Sequence, residues 1–323
     1  MRALVTGGAG YIGSVVAAAL LDAGHQVDVV DNLSDGHRDA VPGGAAFHEL
    51  SVGDTDALRE VLGSGAFDVC YHFAGSIALG LSMSAPEAFF ANNVGESLLL
   101  LDVLVECGVP RFVFSSSAAV YGEPQYTPID ESHPTIPVSP YGESKLMVEH
   151  ALGWLARRGR IRFATLRYFN ASGAAGNRAE RHVPETHLIP LALAVAAGER
   201  DDLTLHGDDY PTPDGTCVRD YIHVSDLASA HMRAMELLDR HETIVCNLGS
   251  GTGTSNAAVI QAVRDVTGHP VPVRLAPRRA GDPSTLVAAI DHARTLLGWE
   301  PSSSTITQIV SDAWDARRAP VAS

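Results

Sequence analysis

Apolar runs and helical periodicities alternate along the first 170 residues. Residues 2–6 (Arg-Ala-Leu-Val-Thr) read as a short buried strand. Val15, Val16, Ala19 and Leu20 follow at helical spacing, and Gly24 ends that helix. Residues 26–30 form a second apolar strand that stops at Asp31. Further strands are predicted at 67–73, ending at Ala74-Gly75, at 111–117, and at 161–169, ending at Asn170. A long helix is predicted over about 86–107, with Asn92 and Asn93 in its early half. Another opens at Ser139-Pro140, where Ser139 can cap and Pro140 is pre-set for the first helical position. Strand and helix alternate throughout, so the pattern predicts an α/β fold: a doubly wound parallel sheet covered on both faces.

After Asn170 the texture changes. Residues 171–186 read as a loop, 187–197 as a helix, and 206–216 as a turn-rich excursion. Residues 244–249 look like one more strand of the sheet, and helices follow at 255–267, 291–297 and 305–318. The expected division is a Rossmann domain over 1–170, joined by the strand near 244–249, and a smaller substrate lobe over 171–323. The substrate is expected in the crevice between them.

Charge narrows the partners. With 38 acidic and 23 basic residues the net charge is −15, which disfavours nucleic acid and acidic membranes. Such a chain must gather its few arginines and lysines wherever it holds phosphate. The most apolar runs, near 97–105 and 188–197, are too short to span a bilayer. Cys70, Cys107, Cys217 and Cys246 are far apart and read as reduced thiols of a cytoplasmic protein. The opening strand and turn predict no signal peptide. The 14 histidines show no ligand-like pairing, so no metal site is expected.

Gly7, Gly10 and Gly13 lie between the first strand and its helix, and Asp31 ends the second strand. Strand, glycine turn, helix, strand and acid in that order form a dinucleotide-binding unit. The glycines permit a positive φ, close approach to a pyrophosphate, and packing of helix on strand; the helix N-terminus favours the phosphate charge. Asp31 can accept a ribose 2′-hydroxyl and would repel a 2′-phosphate, so NAD is expected rather than NADP. Its bland alternative is a turn-forming Asp before Asn32. Ser115, Ser116 and Ser117 put hydroxyls at the carboxyl edge of the sheet, where ligands bind in such folds.

Tyr141 and Lys145 are four apart on the helix after that edge, so their side chains share a face. A phenol of pKa about 10 needs roughly 3 units of depression, about 4 kcal/mol, to act as a base near neutral pH. One cation about 6 Å away at an effective dielectric near 20 supplies roughly 3 kcal/mol. Lys145 alone falls short, and an oxidised nicotinamide would close the gap. Tyr-x-x-x-Lys pairs on exposed helices are common, so the pair has meaning only with its surroundings.

Those surroundings resemble the extended short-chain dehydrogenases/reductases and, within them, the UDP-hexose 4-epimerase branch. The likeness runs nearly the full length, through Val5-Thr6-Gly7-Gly8-Ala9-Gly10-Tyr11-Ile12-Gly13, His72-Phe73-Ala74-Gly75, Tyr141-Gly142-Glu143-Ser144-Lys145 and Arg167-Tyr168-Phe169-Asn170. Pro184-Glu185-Thr186-His187-Leu188, Arg219-Asp220-Tyr221-Ile222-His223-Val224 and Ala276-Pro277-Arg278-Arg279 are the more branch-specific. The resemblance implies tightly held NAD, a UDP-sugar substrate interconverted between UDP-galactose and UDP-glucose, and a homodimer through helices near 86–107 and 140–157. It implies that Ser117, Tyr141 and Lys145 are catalytic. Cofactor contacts are implied for Gly7, Gly10, Tyr11, Ile12, Gly13, Asp31, Asn32, Ser51, Val52, Phe73, Ala74, Gly75, Asn92, Ser115, Tyr141, Lys145 and Tyr168. Substrate contacts are implied for Ser117, Tyr141, Asn170, His187, Leu188, Thr204, His206, Arg219, Arg279, Asp282 and Leu286.

The chain departs from the family pattern at several positions. Ser51 stands where an adenine-contacting Asp is common, Ile77 where some members have Lys, Leu81 where an acid is frequent, and His206 where Phe is frequent. Leu286 occupies the sugar-size gate, intermediate between the bulky Tyr and small Cys found there. That keeps UDP-N-acetylhexosamines open as the alternative substrates. A 4,6-dehydratase would need an acid pair where Ala118 and Ala119 stand, and a non-catalytic binding protein would not need the Tyr–Lys pair.

Overall fold

The computed structural model describes residues 1–279 and 282–319. In the first half, β1 (Arg2–Thr6), α1 (Tyr11–Asp22), β2 (Gln26–Asp31), β3 (Ala46–Glu49), α2 (Thr55–Gly63) and β4 (Val69–His72) follow one another. Then come α3 (Leu79–Ser84), α4 (Pro86–Phe89), a π-helical segment Phe90–Glu96, α5 (Ser97–Glu106), β5 (Arg111–Ser117), α6 (Pro140–Arg157) and β6 (Arg162–Tyr168). The second half begins with β7 (Asn170–Ser172), the hairpin β8 (Ala174–Ala175) and β9 (Arg178–Ala179), α7 (Leu188–Ala196) and β10 (Leu203–His206). It continues with β11 (Val218–His223), α8 (Val224–Leu237), β12 (Thr243–Leu248), β13 (Gly253–Ser255), α9 (Asn256–Thr267), β14 (Val273–Ala276), β15 (Thr285–Leu286), α10 (Asp291–Leu297) and α11 (Ile306–Arg318).

Seven strands form one sheet in the order β12-β6-β5-β4-β1-β2-β3, all parallel. This is the doubly wound α/β arrangement expected from the alternation. Period-two side-chain alternation feeds both faces. Ala3 and Val5 of β1 pack with Val16 and Leu20 of α1 and Leu227 of α8. Leu4 between them packs with Leu58 of α2, Leu100 and Leu104 of α5, and Val148 of α6.

Several elements differ from the sequence reading, each for a tertiary reason. The helix over 86–107 is interrupted by the π segment Phe90–Glu96. Leu79–Ser84 adds a short helix before it, and the whole Pro86–Glu106 rod is 21 residues long. Length and apolarity would let that rod cross a membrane, contrary to the expectation of runs too short to span. Here Leu100, Leu101, Val103 and Leu104 are instead buried against the sheet. The loop 171–186 contains β7 and the β8–β9 hairpin, and β7 pairs with β11. The stretch 218–237 supplies β11 and α8, for which the periodicity had no element. Helix α8 shares the core of the large sheet, as do Ala293, Leu297 and Trp299. The second core, around Ile189, Leu193, Leu203, Val259 and Ile309, is formed wholly by later residues.

Candidate active site

The glycine turn fits a dinucleotide closely. Gly7 adopts φ +72°, and a Cβ there would lie 2.5 Å from the Ala74 nitrogen. A Cβ on Gly13 would lie 2.2 Å from the Gly7 carbonyl oxygen, so helix α1 starts where only glycine packs. Asp31 at the end of β2 accepts the Ala9 N–H (3.0 Å) on one carboxylate oxygen and the Leu33 N–H (2.8 Å) on the other. Each oxygen keeps a lone pair for a sugar hydroxyl. The turn borders a cavity shared with Arg178 and Arg181 from the β9 strap. The buried Nε of Arg178 has no partner there, a donor suited to a phosphate oxygen. Sequence reading did not single out Arg178, because nothing local to a two-residue strand marks it. The donor set, the glycine cradle and Asp31 together fit NAD.

At the carboxyl end of β5 stand Ser115 and Ser117, with α6 across from them. The N-terminus of α6 forms as the sequence predicts: Ser139 Oγ accepts from Gly142 N–H at 3.1 Å. Ser117 Oγ accepts the Ala119 N–H at 3.1 Å, which leaves its O–H free to donate elsewhere. Buried Lys145 donates to the Ser115 carbonyl at 2.9 Å, and its ammonium lies 5.9 Å from the centre of the Tyr141 ring. A Cβ on Gly75 would come within 3.8 Å of that ammonium, so the small residues after β4 leave room beside it.

The electrostatics correct one expectation. Burial holds the Tyr141 phenol above its ordinary value, against the pull of the Ser117 hydroxyl. Burial also lowers Lys145 to about 8, with the Glu149 charge opposing it. The polypeptide alone therefore does not depress the Tyr141 pKa. Desolvation dominates there, and a cation brought close to the phenol would lower it.

Behind the pair, the π segment aims an amide inward. Asn93 is 3% exposed and clips the loop after β4 to α6. Its Oδ1 accepts Ser76 N–H (2.8 Å), and its Nδ2 donates to the Ser76 carbonyl (2.9 Å) and Ser144 Oγ (3.1 Å). Asn92, the expected cofactor contact, donates to Ser76 Oγ at 3.0 Å. The extra residue of a π turn rotates this face; regular helical spacing did not distinguish the two amides. His72 below is held between Thr6 Oγ1 (2.7 Å) and Ser97 Oγ (2.9 Å). Burial, helped by the Lys145 charge, drops it to about 3, so it stays neutral.

Other expected residues are placed as follows. Val52, Phe73 and Tyr168 line the strand ends, with Tyr168 in register with Ser117. Ser51 donates to Glu96 Oε2 at 2.6 Å, which brings a carboxylate of the π segment beside Ser51. The Tyr11 hydroxyl is already given to the Gly173 carbonyl (2.6 Å). Asn170 Nδ2 donates to the Asp220 carbonyl (2.9 Å). Arg219 pairs with Asp282 at 2.6 Å, and β11 places Arg219 in register with Leu286. Leu286, like Ala118 and Phe169, packs against the cluster of Val120, Tyr121, Ile129 and Leu146. Thr204 accepts from Arg274 (2.7 Å), and His206 Nδ1 lies 3.3 Å from the Pro277 carbonyl oxygen. Arg279 is exposed. His187 and Leu188 open α7. Glu180, His182 and His187, which their spacing in the chain did not pair, come together within 4.8 Å. Their irregular spacing hid this, because a folded strap rather than a helix face unites them.

Comparison with known proteins agrees with this geometry. The NAD dependent epimerase/dehydratase family matches residues 3–249. A UDP-glucose 4-epimerase of Streptomyces lividans is 51% identical over 315 residues, covering 97% of this chain and 94% of that one. One from Corynebacterium glutamicum is 48% identical over 314 residues, covering 97% and 95%. The crystal structure of UDP-glucose 4-epimerase from Brucella ovis in complex with NAD superposes with a TM-score of 0.95 at 44% identity, covering 97% of each chain. The glycine cradle, the Asp31 acceptor, the Ser117–Tyr141–Lys145 edge and these full-length likenesses converge: the chain belongs to the NAD dependent epimerase/dehydratase family.

Proposed function

We propose that this chain inverts C4 of a UDP-hexose, interconverting UDP-galactose and UDP-glucose with bound NAD. The observation that carries the reading is the meeting of Ser117, Tyr141 and Lys145 at one sheet edge, beside a glycine turn braced by Asp31. When bound, NAD accepts the C4 hydride and returns it. Tyr141 takes the 4-hydroxyl proton as the hydride leaves, and gives it back on the opposite course. Ser117 donates its free O–H to the same oxygen. Lys145, fixed by the Ser115 carbonyl, holds the ribose beside the nicotinamide. Between the two half-reactions the 4-keto sugar turns about its diphosphate linkage and presents its other face.

Arg219 and Arg279 grip the diphosphate; Arg219 exchanges its Asp282 partner for phosphate, which frees Asp282 for a ribose hydroxyl. Asn170, His187, Leu188, Thr204 and His206 border the nucleotide, and Leu286 limits the sugar. Residues up to 170, with β12, hold the cofactor, while most of 171–323 holds the substrate; α8 and residues 291–299 are exceptions that belong with the sheet. Incubation with UDP-galactose, followed by NMR of the products, should yield UDP-glucose. Absence of interconversion overturns the reading, and turnover of acetylated sugars alone replaces its substrate. The UDP-Glc/GlcNAc 4-epimerase of Campylobacter jejuni superposes with a TM-score of 0.87 at 39% identity, so both sugars belong in that assay.

Glu96 takes over the adenine contact that Ser51 lacks. Its carboxylate, held by Ser51, is an acceptor for the adenine amine. Glu96→Ala should weaken NAD binding by roughly tenfold, the worth of a charged hydrogen bond near 1.5 kcal/mol. Fluorescence titration of cofactor-stripped protein measures it, and unchanged affinity removes Glu96 from the site.

A homodimer fits the surface of α5 and α6. Leu98 and Leu99 on α5 and Met147 and Trp154 on α6 are exposed, with Trp154 at 64%. A neighbouring pair of helices with that much bare apolar surface suits an isologous interface. Light scattering should give twice the mass of the chain, and a monomer at micromolar concentration rejects it.

A further inference from the structure

The strap that leads from β9 into α7 gathers two imidazoles around one carboxylate. Glu180 Oε1 lies 2.5 Å from His182 Nδ1 and 3.3 Å from His187 Nδ1. One ligand atom from each of the three residues lies within 4.8 Å of the other two. Metal bonds of about 2.0–2.1 Å in a tetrahedron put ligand atoms roughly 3.4 Å apart. The Glu180–His187 edge already has that length. The Glu180–His182 edge needs to open by about 0.9 Å, the change that follows when an ion replaces a shared proton.

A second carboxylate stands beside the ligands. Glu185 Oε1 accepts the backbone N–H groups of Thr186 and His187, each at 2.7 Å, and meets His187 Nδ1 at 2.8 Å. Glu180 and Glu185 thus share His187 Nδ1, so an ion taken on that nitrogen displaces Glu185 from the ring and leaves it on the two backbone N–H groups. Accessibility suits an ion arriving from solvent. The Glu180 side chain is 9% exposed, while His187 is 46% exposed.

We propose that Glu180, His182 and His187 bind one divalent first-row transition ion, of which Zn²⁺ suits the nitrogen–oxygen set best. The ion would fasten the strap to the first turn of α7. The site is separate from hydride transfer and does not depend on the sugar assigned above.

Co²⁺ is the probe, titrated into the full NAD-loaded chain after chelator treatment and without sugar. One Co²⁺ per chain should bind with Kd of about 10 μM or tighter, develop visible ligand-field bands, and be displaced by Zn²⁺. His182→Asn and Glu180→Gln should each weaken binding at least tenfold. Circular dichroism checks that each variant is folded. Should one fail to fold, the imidazole ¹⁵N shifts of His182 and His187 in the unsubstituted chain, followed on adding Zn²⁺, decide the question. Binding that never saturates near one ion, equal affinity in His182→Asn, or unmoved His182 and His187 resonances would show that the cluster is only a hydrogen-bonded brace.

Discussion

Tyr141→Phe should lower turnover by about a hundredfold to ten-thousandfold while the protein keeps its NAD. The loss is large because nothing nearby can replace the phenol. His72 is buried and neutral, and Ser117 has no base of its own. The required depression of the tyrosine, about 4 kcal/mol, comes from two cations, of which Lys145 supplies one. In the polypeptide alone burial wins and the phenol is raised. In the proposed mechanism the cofactor charge completes the arming of this base, which ties proton removal to the oxidised form. Heat-released NAD measured by absorbance, together with single-turnover conversion of UDP-galactose, separates binding from chemistry. A Phe variant that turns over within tenfold of the parent would remove Tyr141 from the proton path.

Glu149→Gln should destabilise the fold by about 3–5 kcal/mol, because it leaves a buried guanidinium without its counter-ion. Both side chains of the Glu149–Arg167 pair are under one tenth exposed. Arg167 reaches Glu149 through Nε at 3.0 Å and NH2 at 2.5 Å, and Ser116 Oγ donates to the same carboxylate at 2.5 Å. Arg167 also donates to the Tyr121 hydroxyl (3.0 Å), which donates to Asn247 Oδ1 (2.7 Å). The chain thus joins α6, β5, β6 and β12 under the Ser117 edge. The urea midpoint reads the loss. Glu149→Met combined with Arg167→Met should recover most of it, since an apolar pair has no uncompensated charge. A single-variant loss below about 1 kcal/mol would mean that water reaches Arg167. Glu149 also favours the charged form of Lys145, so the single variant should lose activity as well as stability.

The sheet and the Tyr141–Lys145 pair were legible in the chain for the same reason: both are written in short-range spacing. Alternation in Ala3, Leu4 and Val5, the glycine triplet before α1, and Ser139-Pro140 before α6 each need only a few neighbouring residues to be read. Elements whose identity depends on distant partners were missed. Helix α8 is helical in a way its surroundings in the sequence do not announce, and it is needed because α1 must be covered. Strand β7 exists because β11, 50 residues later, pairs with it.

The sequence by itself determined the parallel α/β class, the glycine turn before α1, NAD as the cofactor, and Tyr141 and Lys145 on one helical face. These follow from backbone geometry and periodicity, which are local. Tertiary structure alone decided the rest. It turned Asn93 inward through a π segment, brought Glu96 to Ser51, and set Leu286 in register with Arg219. It also raised the phenol by burial and drew Glu180, His182 and His187 together. Desolvation and long-range pairing depend on which surfaces meet, and no spacing along the chain records that.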